Sequence, residues 1–216
     1  MSSQAAGQRM IMLPVSPMQM EPVTLDGQYV RLEPLSMDHY SDLCDVLLDE
    51  EIGRWLPYSI ATPDDMRQFI EMAVKLQAEG SSFSFAMVYK PANRVVGTSR
   101  YLNIDEESFN LEIGGSLIGK QWQRTIVNTE AKYLMLRHAF ETLGCIRVQF
   151  KTDSFNMKSR TALARIGAKE EGIIRNHMVC SNGRVRHSIL FSITDEDWPT
   201  VKANLEAKLA RPFEGK

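Results

Sequence analysis

Glu112 heads the stretch of this chain best equipped to do chemistry, Glu112-Ile-Gly-Gly-Ser-Leu-Ile-Gly-Lys-Gln-Trp-Gln-Arg-Thr-Ile-Val-Asn-Thr-Glu-Ala131. It reads as an apolar strand, a short polar turn and the first turn of a helix. A strand that enters a helix this way leaves backbone N–H groups without partners at the helix start. Together with the helix dipole they make an anion site suited to phosphate. A second junction, Asp153-Ser-Phe-Asn156-Met-Lys-Ser159-Arg160, follows further along. Two such junctions in tandem, with a carboxylate on the first strand, point to a phosphate-bearing cofactor held beside a base. A carboxylate takes a proton from an amine when burial raises its proton affinity. Strand alternation places Glu112, Gly114 and Ser116 on one face and Leu111, Ile113 and Leu117 on the other. Small residues beside Glu112 then leave room for a substrate. The plainer alternative is a Glu112 that points to solvent.

Charge agrees with an anion site. From Lys120 to Arg160 there are eight Lys or Arg (120, 124, 132, 137, 147, 151, 158, 160) and three acids (130, 141, 153), in a chain of net charge −2. The same excess also suits a solvated helix face. The overall balance gives no reason to expect a nucleic-acid partner. With 216 residues, 44% of them hydrophobic and 24% charged, the chain suits one soluble domain with extensions. Cys44, Cys145 and Cys180 are too scattered for a disulfide framework or a zinc set, so a reducing cytoplasm is expected. His39, His138, His177 and His187 make no metal set either. No apolar run reaches the length of a membrane span, so no membrane partner is expected. Residues 1–24 lack the basic start and apolar core of a secretory signal. They read as a flexible leader, or a clasp onto a neighbouring subunit.

The surrounding pattern supplies elements to hold these junctions. A strand is expected over 28–34 and a helix from Ser36 to about Asp49, then a loop over 54–58. A helix capped by Thr62, with Pro63 at its first position, runs to Gly80. Strands follow at 83–89 and 95–102 around a turn at 91–94, and at 109–118. A helix spans about 127–143 and stops at Gly144. A strand at 146–151 leads to a helix at 156–165. A hairpin of 172–179 and 184–193 closes on Asn182-Gly183, and a last helix covers 195–210. The fold class is α/β (α+β), a mixed sheet with helices on its faces.

In order and spacing these runs resemble the GNAT superfamily of acetyl-CoA-dependent N-acetyltransferases, and within it the Rim-type ribosomal-protein branch. The resemblance rests on Leu32-Glu-Pro-Leu, Glu112-Ile-Gly, Gln123-Arg-Thr-Ile-Val-Asn-Thr-Glu-Ala131, Asn156-Met-Lys-Ser159, Ile166-Gly167, Ile174-Arg-Asn-His177 and Gly183-Arg-Val-Arg186. It implies a GNAT domain over 25–195 with splayed central strands, and a C-terminal helical extension at 196–216. It also implies transfer of acetyl from acetyl-CoA to a primary amine, either a protein N-terminus or a small amine. A GNAT fold that binds a ligand or partner without catalysis is the alternative. Dimers are common in that family.

The resemblance assigns roles by position. The pantetheine arm would pair with backbone near Ser116, Leu117 and Ile118. The pyrophosphate would lie on Arg124, Thr125, Ile126, Val127, Asn128 and Thr129, helped by the side chains of Gln123 and Arg124. The family turn has glycines where this chain has Ile126 and Asn128. Positive φ would strain a β-branched residue. Either Ile126 keeps a negative φ and turns its side chain away, or CoA binds weakly. The family's acidic tyrosine falls on Leu163, which leaves Ser159, a water or no group to protonate the thiolate. Asn156 and Ser159 would hold the CoA arm, with Asn156 as a simple helix cap the alternative. Arg54, Trp55, Tyr58, Arg175 and His177 are candidates for the acceptor rim, with Trp55 and Tyr58 as core anchors the alternative.

Overall fold

The computed structural model describes residues 18–211. The leader expected over 1–24 therefore lies outside the described residues as far as position 17. Among the described residues eight strands form one sheet in the order β1-β2-β3-β4-β5-β6-β8-β7. They are β1 (Leu25–Asp26), β2 (Val30–Pro34), β3 (Phe83–Tyr89), β4 (Arg94–Asp105), β5 (Asn110–Ile118), β6 (Arg147–Asp153), β7 (Lys169–Val179) and β8 (Val185–Thr194). Every neighbouring pair is antiparallel except β5 and β6. The helices are α1 (Tyr40–Leu47), α2 (Glu50–Gly53), α3 (Pro63–Ala78), α4 (Ile126–Arg137), α5 (Met157–Ile166) and α6 (Trp198–Leu209). This is the mixed α/β sheet expected from the sequence.

Alternating strand residues build two cores. On one face Phe85, Tyr101, Leu111, Ile113 and Phe150 meet α4, α5 and α6. On the other, Ala86, Val88, Val95 and Leu117 meet Leu43 and Leu47 of α1 and Met66 and Ile70 of α3. Two elements go beyond expectation. Strand β1 pairs with β2, and Asp49 accepts from the Glu51 N–H to start the single turn of α2. Helix α4 loosens into a π-helical turn at His138–Thr142 before Gly144. Helix α6 packs on α4, with Trp198, Val201 and Leu205 buried in the same core. Met18 is buried there too, with the Cys145 Sγ 3.5 Å from its sulfur.

Two irregularities in β5 open the sheet and turn the strand. First, β5 pairs with β6 only from Asn110↔Arg147 to Glu112↔Gln149. Beyond Glu112 the strands part, while β6 stays paired with β8 as far as Asp153↔Ser188. Second, β5 carries a bulge. Arg100 opposes Gly114, but the next pair is Thr98 with Leu117, so β5 has one residue too many. Gly115 absorbs the kink at φ +57, a conformation that favours glycine. The bulge overturns the simple alternation expected of this strand. Leu117, not Ser116, joins the α1 core on the face of Glu112, and Ser116 turns towards α4.

Candidate active site

Glu112 is buried at 4% exposure, not turned to solvent. Its Oε2 accepts from Asn103 Nδ2 at 2.7 Å and pairs with Lys151 Nζ at 2.9 Å. Asn103 reaches it because β4 is irregular between Leu102 and Asp105, with Asn103 at φ +48. Lys151 reaches it from β6, two residues past the last β5–β6 pair. Oε1 lies over Gly114, where an added Cβ would stand 3.3 Å from it. Both observed partners sit on Oε2, so Oε1 is the oxygen left to accept a proton.

The polar turn does not put its strain on Ile126. Ile126 is the first residue of α4, is absent from the positive-φ positions, and buries its side chain at 8% exposure. The left-handed residue is Arg124, at φ +63. The first of the two alternatives therefore holds, and Asn128 sits inside the first helical turn. Thr125 caps the helix: its Oγ1 accepts from Val127 N–H at 3.3 Å and donates to the Trp122 carbonyl at 2.6 Å. The remaining N–H groups of the first turn, on Ile126 and Asn128, have no intrahelical acceptor. Gln123 Nε2 donates to the Ile118 carbonyl at 3.0 Å, which ties the turn to the end of β5. Thr129 is buried and accepts from Arg165 of α5 at 3.0 Å.

The second junction is also capped. Asn156 Oδ1 accepts from Ser159 N–H at 3.1 Å, so this side chain is the helix cap of α5. Ser159 is half-buried in the first turn of α5, on the α4 side of the sheet. Glu112 faces the other side of the sheet. Leu163 is buried in the core.

The expected rim residues separate into groups. Arg54 and Arg184 lie over the Trp55 ring at 5.0 and 5.6 Å, and Trp55 lies 6.4 Å from the exposed Phe155 ring. The Trp55 carbonyl accepts from the buried Arg186 at 3.3 Å, and the Pro57 carbonyl from Ser181 N–H at 2.8 Å. The loop after α2 is thus fastened to the β7–β8 hairpin. His177 bonds Ser188 Oγ at 2.9 Å. Burial, then Lys151 and Arg186, lower its pKa, while the Glu112 charge works against them. His177 and Arg186 both feel the Glu112 charge, so the hairpin lies near that carboxylate. Two candidates fall elsewhere. Tyr58 stacks on Phe69 of α3 at 6.4 Å and is an anchor of the loop, with its hydroxyl pKa raised by burial. Arg175 lines an open cleft with Ile173, Ile174, Asn176 and His187.

The structure adds groups that sequence reasoning passed over. Asn103 and Lys151 hold Glu112. Asp153, at 1% exposure, accepts from Phe155 N–H and pairs with Arg184 at 2.7 Å. Lys132 of α4 is buried beneath the bulge, with its ammonium on Ser116 and Ser99. The pair Gly114-Gly115 was the available signal for the bulge, since glycine inside a strand often marks one. No group of three His, Cys, Asp or Glu that could hold a metal occurs among the described residues. No helix among them is long and apolar enough to cross a membrane.

An N-acetyltransferase of Bacillus licheniformis, p20, is 24% identical over 176 residues, covering 81% of this chain and 98% of its own. The alanine N-acetyltransferase of ribosomal protein uS5 from Escherichia coli is 25% identical over 136 residues, covering 63% of this chain and 70% of its own. The crystal structure of a GCN5-related N-acetyltransferase from Brucella melitensis superposes with a TM-score of 0.85 at 31% identity, covering 93% of this chain and 92% of that one. A family model described as an acetyltransferase (GNAT) domain matches residues 30–169, and on that match the chain belongs to the GNAT acetyltransferase family.

Proposed function

We propose that this chain moves acetyl from acetyl-CoA to a primary amine in a ternary complex, without a covalent enzyme intermediate. The observation that carries this reading is the parting of β5 from β6 directly after Glu112↔Gln149. The donor set suits a pantetheine thioester. Backbone of Ser116, Leu117 and Ile118 borders the opening and offers amide partners to the amide-bearing arm. The capped start of α4, from Arg124 to Thr129, offers N–H groups and the helix dipole to a pyrophosphate. Acetyl-CoA supplies the activated acyl group. A backbone N–H of the bulged segment is a preorganised donor for charge growing on the thioester oxygen.

On the opposite face Glu112 Oε1 takes the proton of the acceptor amine, directly or through a water. Asn103 and Lys151 fix the other oxygen and so hold the carboxylate in one orientation. Trp55, Arg54, Arg184, Arg186 and His177 border the acceptor's approach. The Escherichia coli relative is named for an alanine of ribosomal protein uS5, which favours a protein acceptor over a small amine.

The test pairs binding with turnover. Acetyl-CoA is titrated calorimetrically into the protein and into Glu112→Gln, and both are assayed against peptides and small amines. The variant should bind acetyl-CoA within about threefold and lose about 10²–10⁴ in turnover. Undiminished turnover by Glu112→Gln across the pH range would sink the role of the carboxylate. Failure of the unaltered protein to bind acetyl-CoA would favour a GNAT-fold binding protein without catalysis.

A further inference from the structure

Lys132 projects from α4 against β4 and β5, with 5% of its surface exposed. Its Nζ donates to Ser116 Oγ at 2.5 Å and to Ser99 Oγ at 3.2 Å, and the two hydroxyls are 2.7 Å apart. No carboxylate pairs with it among the described residues. Glu130, on the same helix, gives both oxygens to the N–H groups of Gln28, Tyr29 and Val30. Arg100 opposes Gly114 and so projects on the other side of the sheet, where its chain lies along Gly115. A buried ammonium with no counter-charge is unfavourable. Burial alone lowers its pKa to about 7.

The bulge connects this ammonium to the reaction space. It turns Ser116 towards α4, yet Ser116 stays exposed on the β5 edge that β6 has left. Ser116 Oγ thus touches the opening on one side and Lys132 on the other. Leu163, where the family resemblance places a tyrosine, offers no proton. A thiolate leaving into that opening needs one.

We propose that Ser116 and Lys132 form the proton relay to the thiolate that leaves acetyl-CoA. This rests on the transferase reading above. As the C–N bond to the acceptor forms, the C–S bond breaks and its electron pair goes to sulfur. Ser116 gives its hydroxyl proton to sulfur and takes one from Lys132. Lys132 is left neutral and is reprotonated from solvent, while the amine's proton goes separately to Glu112. Ser116 is the catalytic residue and Lys132 the positioning residue behind it.

The test uses Lys132→Met and Ser116→Ala with two readouts. The first is titration of the thiol of bound CoA, followed by thiolate absorbance. The second is kcat and KM for acetyl transfer as a function of pH. The thiol should ionise about one to three units lower on the unaltered protein than on Lys132→Met. Lys132→Met should lower kcat about a hundredfold or more, with KM for acetyl-CoA within about threefold, and should lose the alkaline limb of the profile. Ser116→Ala should also lower kcat. Equal thiol ionisation in the unaltered protein and Lys132→Met, with kcat within about threefold, would overturn the relay. If Lys132→Met does not fold, Ser116→Ala decides by kcat against KM and by the alkaline limb. If CoA binds but no amine is acetylated, the transferase reading fails and the relay falls with it, whereas retained acetylation with equal thiol ionisation and unchanged kcat overturns the relay alone. Absence of CoA binding overturns both.

Discussion

Replacing Lys151 by Met tests how β5 and β6 together hold the Glu112 carboxylate. The two charges lie 2.9 Å apart, with the Glu112 side chain 6% exposed and that of Lys151 19% exposed. At an effective dielectric of about 20 their direct attraction is about 6 kcal/mol, an upper limit because Lys151 gives up hydration to make it. Without Lys151 the buried carboxylate keeps only Asn103 as a donor. Breaking a buried pair in this way costs about 3–5 kcal/mol, and the partial exposure here reduces that to about 2–3 kcal/mol. Glu112→Gln should cost only about 1 kcal/mol, because Lys151 can turn towards water and an amide oxygen can still accept from Asn103. The double variant leaves no buried charge behind and should also cost about 1 kcal/mol. The coupling energy is then about 2 kcal/mol. Urea unfolding of the four proteins at one pH and salt concentration, fitted with a shared slope, measures it. A coupling below about 0.5 kcal/mol would mean that Lys151 is not what compensates the Glu112 charge.

Three further perturbations probe the frame around the site. Glu130→Ala removes a carboxylate that accepts three N–H groups of the β1–β2 turn at 2.8, 2.7 and 2.6 Å. It should cost about 3 kcal/mol in urea unfolding, and a loss under about 1 kcal/mol would show that the turn finds other partners. Arg124→Gly relieves the φ of +63 and should stabilise the fold by about 1 kcal/mol while weakening acetyl-CoA binding several-fold. A variant that is less stable, or that binds as tightly, contradicts the assignment of that residue. Lys132 makes stability depend on pH in a defined direction. Its pKa falls from 10.5 to about 7 on folding, so between those values the unfolded chain holds a proton that the folded chain lacks. Stability conferred through this group is flat below about pH 7 and rises with pH up to about 10.5, by on the order of 5 kcal/mol at most. The difference between the protein and Lys132→Met should follow that rise, and parallel pH curves would exclude it.

What the sequence disclosed and what it withheld divide along a physical line. Helix α3 was legible because Thr62 and Pro63 start it through local backbone chemistry. Strand β3 was legible because its apolar run has turn residues on both sides. Glu112 was legible as a strand carboxylate ahead of a helix start, with solvent exposure left open, and its burial and its partners came only with the structure. Lys151 and Asn103 reach it only through the parallel β5–β6 register and the β4 irregularity, which no local pattern encodes. The face of Ser116 was misread because alternation assumes a regular ladder, and one extra residue at Gly115 reverses everything after it. Lys132 and Glu130 went unrecognised for a different reason. Charges within one turn of a helix ordinarily mark its solvent side. Here β4 and β5 cover the Lys132 side of α4, the β1–β2 turn covers Glu130, and α6 packs alongside. In a helix enclosed this way charge is no sign of exposure. It marks a specific partner, such as the amides that hold Glu130, or a task, as proposed for Lys132.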